Sequence, residues 1–216
     1  MRLILLGAPG AGKGSQAARL GRKHGVPHIS TGDMFRDAFE KKTDIGIRAH
    51  GYWGQGELVP DDVTCSMVEE RLESGDCSSG FIFDGFPRTI AQAEMLTAAM
   101  ERLGIEVDAV IQMNVSRETI LQRLTGRRVC ERCGANFHVK NLPPAKPGVC
   151  DYCGGGLVRR PDDERDTILN RLRVYEERTA PLVDYYRRTG KLVDIDADKS
   201  VDENLEEITA ILEARS

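Results

Sequence analysis

Residues 7–13 read Gly-Ala-Pro-Gly-Ala-Gly-Lys, and no other stretch constrains the fold of this chain so tightly. The pattern G-x-x-x-x-G-K carries meaning only between a strand and a helix. Both flanks meet that condition. Residues 2–6 form a short apolar run that predicts a buried strand, and from Lys13 the spacing is helical up to a stop signal at Gly25. A strand, a glycine loop and a helix open a parallel α/β sheet. Glycines let successive backbone N–H groups point inward, and the helix N-terminus adds positive potential. Gly10, Ala11, Gly12, Lys13, Gly14 and Ser15 are therefore a candidate cradle for nucleotide phosphates, with the Lys13 ammonium reaching the outer ones. One position departs from the pattern. Gly14 stands where a magnesium-binding hydroxyl is usual, and the hydroxyl comes one place later, at Ser15.

The remainder of the chain continues the alternation. Strands are expected over 26–29, 80–84, 109–115 and 192–195. Helices are expected over 61–74, 90–103, 116–125, 164–188 and 201–214, with a perturbation at Pro181. Residues 35–56 read as polar helical segments broken by Gly46, Gly51 and Gly54. Residues 126–163 differ in kind: they are rich in Gly, Pro, Cys and Arg, lack helical periodicity, and read as an insertion with its own architecture.

Six cysteines divide into two groups. Cys130, Cys133, Cys150 and Cys153 form two CxxC pairs separated by sixteen residues, a zinc-type spacing, whereas Cys65 and Cys77 look like packing residues. Each CxxC turn can present two sulfurs on one side, and two turns complete a tetrahedron. Four thiolates leave no open position, so the site would be structural, with Zn²⁺ the expected ion and iron or cobalt acceptable to the same sulfurs. The N-terminal apolar stretch is too short for a signal peptide and no run approaches bilayer length, so the expected location is the cytoplasm. In that compartment disulfides are disfavoured. The net charge of −4 excludes a general polycation; attraction for anions has to come from local clusters.

The sequence Gly-Ala-Pro-Gly-Ala-Gly-Lys-Gly-Ser resembles the nucleoside monophosphate kinases. Further blocks narrow the resemblance to the adenylate kinase family: Ser30-Thr31-Gly32-Asp33-Met34 with Arg36, Asp84-Gly85-Phe86-Pro87-Arg88-Thr89 with Gln92, Gly126-Arg127-Arg128, and Arg160 with Arg171. The resemblance implies a five-stranded parallel sheet flanked by helices, with 1–29, 60–125 and 164–216 as core, 30–59 as an AMP-binding lobe and 126–163 as a lid. It also implies a reversible phosphoryl transfer from MgATP to AMP giving two ADP.

By the same resemblance, Arg36 and Arg88 hold the AMP phosphate, Arg123 and Arg127 approach the ATP phosphates, and Arg160 and Arg171 gather around the transferred group. Thr31 and Gln92 would read or pack on the AMP adenine with the backbone of Glu57, Leu58 and Val59, and Gly85, Phe86 and Pro87 would stand around that nucleotide. Asn136, Phe137 and the Lys199 backbone would meet ATP. Asp84, ending an apolar strand at the ligand edge of an open sheet, is expected to hold Mg²⁺ directly or through water; the competing role is an N-cap. Gly126 and the Pro161-Asp162-Asp163 stretch are candidate hinges. The partners expected are ATP, AMP and ADP, with neither nucleic acid nor membrane, and the chain is expected to be a monomer. Arg127, Arg128, Arg132, Arg159 and Arg160 make the insertion basic enough for a nucleic-acid-binding zinc ribbon. Phe137 and Tyr152 are too few for a stacking platform, however, and the chain is acidic as a whole.

Overall fold

The central strand segments pair side by side, being apolar and buried on both faces. In the computed structural model, which describes residues 1–214, β1 (Arg2–Leu6), β2 (His28–Ser30), β3 (Phe81–Asp84), β4 (Ala109–Asn114) and β8 (Leu192–Asp196) make one parallel sheet in the order β2-β3-β1-β4-β8. Alternation sorts the side chains into two layers. Ile4, Leu6, Phe81, Phe83 and Val110 face a layer built from α4 (Asp61–Leu72), α5 (Ile90–Arg102) and α8 (Pro181–Arg188). Leu3, Leu5, Ile82, Ala109, Ile111 and Met113 face α1 (Lys13–His24) and α9 (Val201–Glu213). Cys65 and Cys77 lie buried in the first layer, as packing residues.

The expected strands and helices are found within a few residues of their predicted limits, with two informative exceptions. Within 35–56 the break falls at 41–43, between α2 (Thr31–Glu40) and α3 (Asp44–Trp53), while Gly46 and Gly51 sit inside α3. Gly46 serves packing: a Cβ there would lie 2.2 Å from the Ala38 carbonyl carbon, so only glycine lets α3 cross the end of α2. The second exception concerns Pro181. It begins α8, and the perturbation lies in the turn before it, Tyr175–Thr179, which is a π-helix following α7 (Arg165–Val174).

Between α6 (Arg117–Gly126) and α7 the chain forms a separate antiparallel sheet from β5 (Arg127–Cys130), β6 (Asn136–His138) and β7 (Leu157–Val158), in the order β6-β5-β7. Among the described residues no helix is long and apolar enough to cross a membrane.

Candidate active site

Strand polarity places the carboxyl ends of β1, β2, β3 and β4 along one edge, the edge at which open α/β sheets bind ligands. A cleft of about 620 Å³ opens there. The loop after β1 forms its floor, with Gly10 and Gly12 at φ 85° and 98°. The N-terminus of α1 carries no side-chain cap, so its N–H groups stay turned toward the cleft, as an anion site requires. Lys13 Nζ lies over this loop, donating to the carbonyls of Gly7 at 2.6 Å and Ala8 at 2.9 Å.

The unusual Gly14 stands in a tight place. A Cβ at that position would come 3.0 Å from Asp84 Oδ2, a partly buried carboxylate at the end of β3. The carboxylate crowds the ground where a larger residue would stand. Asp84 is not a helix cap, because α5 is capped by Thr89, whose Oγ1 accepts the Gln92 N–H at 3.1 Å. Asp84 instead faces His28 Nε2 at 3.4 Å. Burial would raise its carboxyl, but the neighbouring His28 imidazole and the charges of Lys13 and Arg88 hold it below the ordinary carboxylate value.

Seven cationic side chains line the cleft: Lys13, Arg36, Arg88, Arg123, Arg127, Arg160 and Arg171. Burial and the neighbouring cations weaken the hold of Lys13, Arg88, Arg160 and Arg171 on their protons. Lys13 falls from 10.5 to about 8, lowered first by burial, held up by Asp84, and lowered further by Arg88, Arg171 and Arg127. Burial, then Arg171, brings Arg88 down to about 10, and burial with Arg36 and Arg127 does the same to Arg160. Such perturbed groups gathered in a cleft are the electrostatic mark of a site built for a polyanion.

Four aspartates keep this cluster together. Arg127 makes a two-pronged pair with Asp163, Nε to Oδ2 at 2.8 Å and Nη2 to Oδ1 at 2.5 Å, and Asp163 is fully buried. Arg171 Nη1 meets Asp162 Oδ2 at 2.9 Å and Asp163 Oδ1 at 3.4 Å. Asp33 bonds Arg36 and lies 3.7 Å from Arg160, while Asp84 sits beside Lys13. Sequence reasoning took Asp162 and Asp163 only as part of a hinge; in the structure they form a 3₁₀ turn whose carboxylates orient two cleft arginines. Chain order carries no signal for this, since Arg127 lies 36 residues from Asp163.

Most of the other predicted residues reach the cleft: Gly10, Ala11, Gly12, Gly14, Ser15, Leu58, Asp84, Gly85, Pro87, Asn136, Phe137 and Lys199 all line it. Five do not. Phe86 is buried against Phe83, Val59 packs on Phe35 and Ala49, and Glu57 pairs with Arg173. Thr31 Oγ1 donates to the Gly85 carbonyl at 2.9 Å, while Ser30 caps α2. Gln92 is buried with both ends of its amide engaged: Oε1 accepts from Arg88 N at 2.8 Å and Nε2 donates to Asp61 at 2.7 Å. Lys199 Nζ pairs with Glu207, leaving its backbone on the cleft side, where the carbonyl accepts from Asn204 and Arg123. Arg123 spans the site, donating to Ala11 and Ala197 carbonyls at 3.3 and 2.8 Å.

In the insertion the two CxxC turns are built alike. The carbonyls of Cys130 and Cys150 accept from Gly134 and Gly154 at 3.0 and 2.9 Å, and their N–H groups donate to Ala135 and Gly155 at 2.9 and 2.8 Å. The sulfurs of Cys130, Cys133, Cys150 and Cys153 lie within 4.8 Å of one another. A tetrahedral Zn²⁺ with bonds of about 2.3 Å needs sulfurs about 3.8 Å apart, so the cluster fits that ion. Burial opposes thiolate formation at Cys130, yet backbone N–H groups of Cys133 and Arg132 bring it down to about 6. Phe137 and Tyr152 pack beside the cluster, 5.9 Å apart. His138 stays outside it, its Nε2 3.1 Å from the Gln122 carbonyl and its Nδ1 accepting from Lys140 and Asn141.

Residues 5–191 match the profile of the adenylate kinase family. The chain belongs to that family. The adenylate kinase of Carboxydothermus hydrogenoformans is 54% identical over 203 residues, covering 94% of this chain and 95% of the relative. Those of Bacillus licheniformis and Archaeoglobus fulgidus are each 50% identical, over 215 and 213 residues, covering 100% and 99% of this chain and 99% and 98% of the relatives. The activity of an adenylate kinase is the reversible phosphoryl transfer from ATP, taken with Mg²⁺, to AMP, giving two ADP. The resemblance seen in the motifs therefore extends along the whole chain.

Proposed function

We propose that the cleft brings MgATP and AMP head to head, with each predicted cation assigned to one part of the phosphate chain. The observation that carries this reading is the convergence of seven cationic side chains, from separate elements, on a single cleft whose floor is an uncapped helix N-terminus. The loop 10–15 and Lys13 hold the ATP phosphates, joined by Arg123 and Arg127. Arg36 and Arg88 hold the AMP phosphate, and Arg160 and Arg171 neutralise charge on the group in transit. Guanidinium groups suit this work because they bond phosphate oxygens through two donors. Arg88 is well prepared for it. Its Nε is tied to the Gly85 carbonyl at 2.7 Å, and among the described residues neither terminal nitrogen meets a protein acceptor.

The attacking oxygen belongs to the AMP phosphate, whose second pKa is about 6, so it is ionised at neutral pH and needs no general base. Its lone pair forms the new P–O bond as the bond to the ADP leaving oxygen breaks. Positioning and charge neutralisation do the remaining work. Mg²⁺ bound with ATP would neutralise phosphate charge, and Asp84, whose carboxyl stays ionised, would hold it through water. Zn²⁺ in the four-cysteine cluster would be structural, keeping the insertion 126–163 folded as a lid that excludes water during transfer. The chain is read as a cytoplasmic monomer.

The test is the initial rate of nucleoside diphosphate formation from ATP with AMP, CMP, UMP or GMP as acceptor. AMP should be preferred; an equal or faster pyrimidine would overturn the acceptor assignment. Arg88→Ala should raise the KM for AMP about 10- to 100-fold, the loss expected for a charged hydrogen-bonding partner, with the KM for ATP little changed.

A further inference from the structure

The chain departs from α-helical geometry where α7 passes into α8 beside the cleft. Pro181 has no N–H to offer the carbonyl four residues earlier. In the preceding turn Ala180 N–H bonds the Tyr175 carbonyl, five residues back, at 2.8 Å. Turns of this kind are rare and concentrate at functional sites.

The widened turn has two consequences. In an α-helix each four-residue step advances about 40° around the axis, so Arg171, Tyr175 and Thr179 would drift by about 80° across two steps. A π-turn takes more residues per revolution and offsets most of the second advance. Arg171, Tyr175 and Thr179 accordingly all line the cleft. The second consequence concerns the Thr179 hydroxyl. A helical threonine ordinarily bonds back to the carbonyl four residues earlier, as Thr97 does to Ala93 at 2.9 Å and Thr125 to Leu121 at 2.8 Å; Thr179, in the widened turn, has a different partner. The hydroxyl turns away from its own helix and donates to the Arg88 carbonyl at 2.9 Å.

That bond completes a frame around Arg88. Gln92, on α5, accepts the Arg88 N–H at 2.8 Å, and Thr179, in the π-turn, holds its carbonyl. The Nε bond to Gly85 fixes the near end of the guanidinium. Gln92 is itself held by Asp61, and the same Gly85 carbonyl receives the Thr31 hydroxyl from α2. The backbone of Arg88 is thus pinned on both sides of its Cα by groups from different elements, and only the outer half of the side chain is left to meet a ligand.

We propose that Thr179 is a positioning residue for the acceptor monophosphate: its hydroxyl, aimed by the π-turn, sets where the Arg88 guanidinium sits. The proposal rests on the reading of Arg88 as a ligand of the AMP phosphate. The experiment compares Thr179→Val, which removes the donor at nearly constant shape, Thr179→Ser, which keeps it, Arg88→Ala, and the double variant Thr179→Val/Arg88→Ala. Each is measured for KM of AMP, KM of ATP, kcat and Tm. Thr179→Val should raise the KM for AMP about three- to ten-fold, the range for one lost hydrogen bond, with the KM for ATP changed less than about two-fold. Thr179→Ser should restore the AMP value. In the Arg88→Ala background Thr179→Val should add almost nothing, because the group it positions is gone.

Two outcomes would overturn the proposal. One is an unchanged KM for AMP in Thr179→Val, or equal changes for both nucleotides that follow Tm. The other is a full multiplication of the two effects in the double variant. If Arg88→Ala leaves AMP use intact, it is the assignment of Arg88 that fails, and the two failures are told apart by that single variant.

Discussion

The parallel sheet and the insertion at 126–163 both present cations to the same cleft, and they hold them by different physical means. The sheet is buried on both faces, with Phe81, Phe83, Leu3, Ile4, Leu5, Ile82 and Ile111 all inaccessible or nearly so. Lys13 and Asp84 rest on that rigid base. The insertion has strands of two to four residues, and its buried cluster consists of Cys130, Phe137 and Cys150. So small an apolar interior cannot offset the chain entropy of about forty residues. Four sulfurs gathered within 4.8 Å supply the missing order when joined by a metal. On the proposed reading, the core carries the Lys13 charge without depending on it for its fold, whereas the insertion would need the metal cross-link to fold. The seam between them is ionic: Arg127, the first residue of the insertion's sheet, is locked to Asp163 at its far end.

The strongest way to break this comparison is Lys13→Met. If the core is independent of the charge, kcat should fall about 10²- to 10³-fold, as for loss of an oriented donor to the transferring group, while Tm stays level or rises with removal of a buried ammonium. A large fall in Tm would show that the lysine holds up the loop instead.

Cys150→Ser tests the other side. Metal content by mass spectrometry should drop to near zero and Tm should fall by roughly 5–15 °C, corresponding to about 2–4 kcal/mol in a domain of this size. Amide exchange should speed up across 126–163 and stay slow in β1, β3 and β4. Uniform loss of protection would mean that the two regions unfold together. Wild-type protein without metal would remove the cross-link altogether.

The smallest effect is a pH dependence belonging to the core alone. Lys13 titrates near 8 in the folded chain against 10.5 in its absence. Because the folded value is the lower one, its burial disfavours folding below pH 8, and that cost is relieved as pH rises from about 8 toward 10.5. Phosphate binding carries the opposite sign, since an anion favours the ammonium. Affinity for MgATP should therefore weaken by up to about ten-fold between pH 7 and 9, and should do so equally in Cys150→Ser. Calorimetric titration at pH 7, 8 and 9 measures it; a flat profile would take Lys13 out of contact with phosphate.

How much of the molecule was legible beforehand varied with the range of the interaction. The glycine loop, the alternation of apolar strands with helices and the two CxxC pairs are local patterns, and each lies where its spacing predicted. The break between α2 and α3 was misplaced because glycines were read as stops, although Gly46 is there for a neighbour's backbone. For Thr31 and Gln92, expected at the AMP adenine, chain order gives no sign that Gly85, Arg88 and Asp61 engage their polar atoms. Asp162 and Asp163 were taken for hinge residues because nothing in the order of residues reveals that Arg127 and Arg171 arrive beside them.

The amino-acid order alone determined the phosphate loop, the strand-and-helix alternation and the composition of the metal cluster, since these depend on backbone freedom and short-range periodicity. Only the tertiary structure decided which acid restrains which arginine, that Asp84 closes in on residue 14, and that the Thr179 hydroxyl reaches Arg88. Those outcomes depend on groups tens of residues apart meeting at distances of about 3 Å, and chain order does not encode such meetings until the sheet has packed.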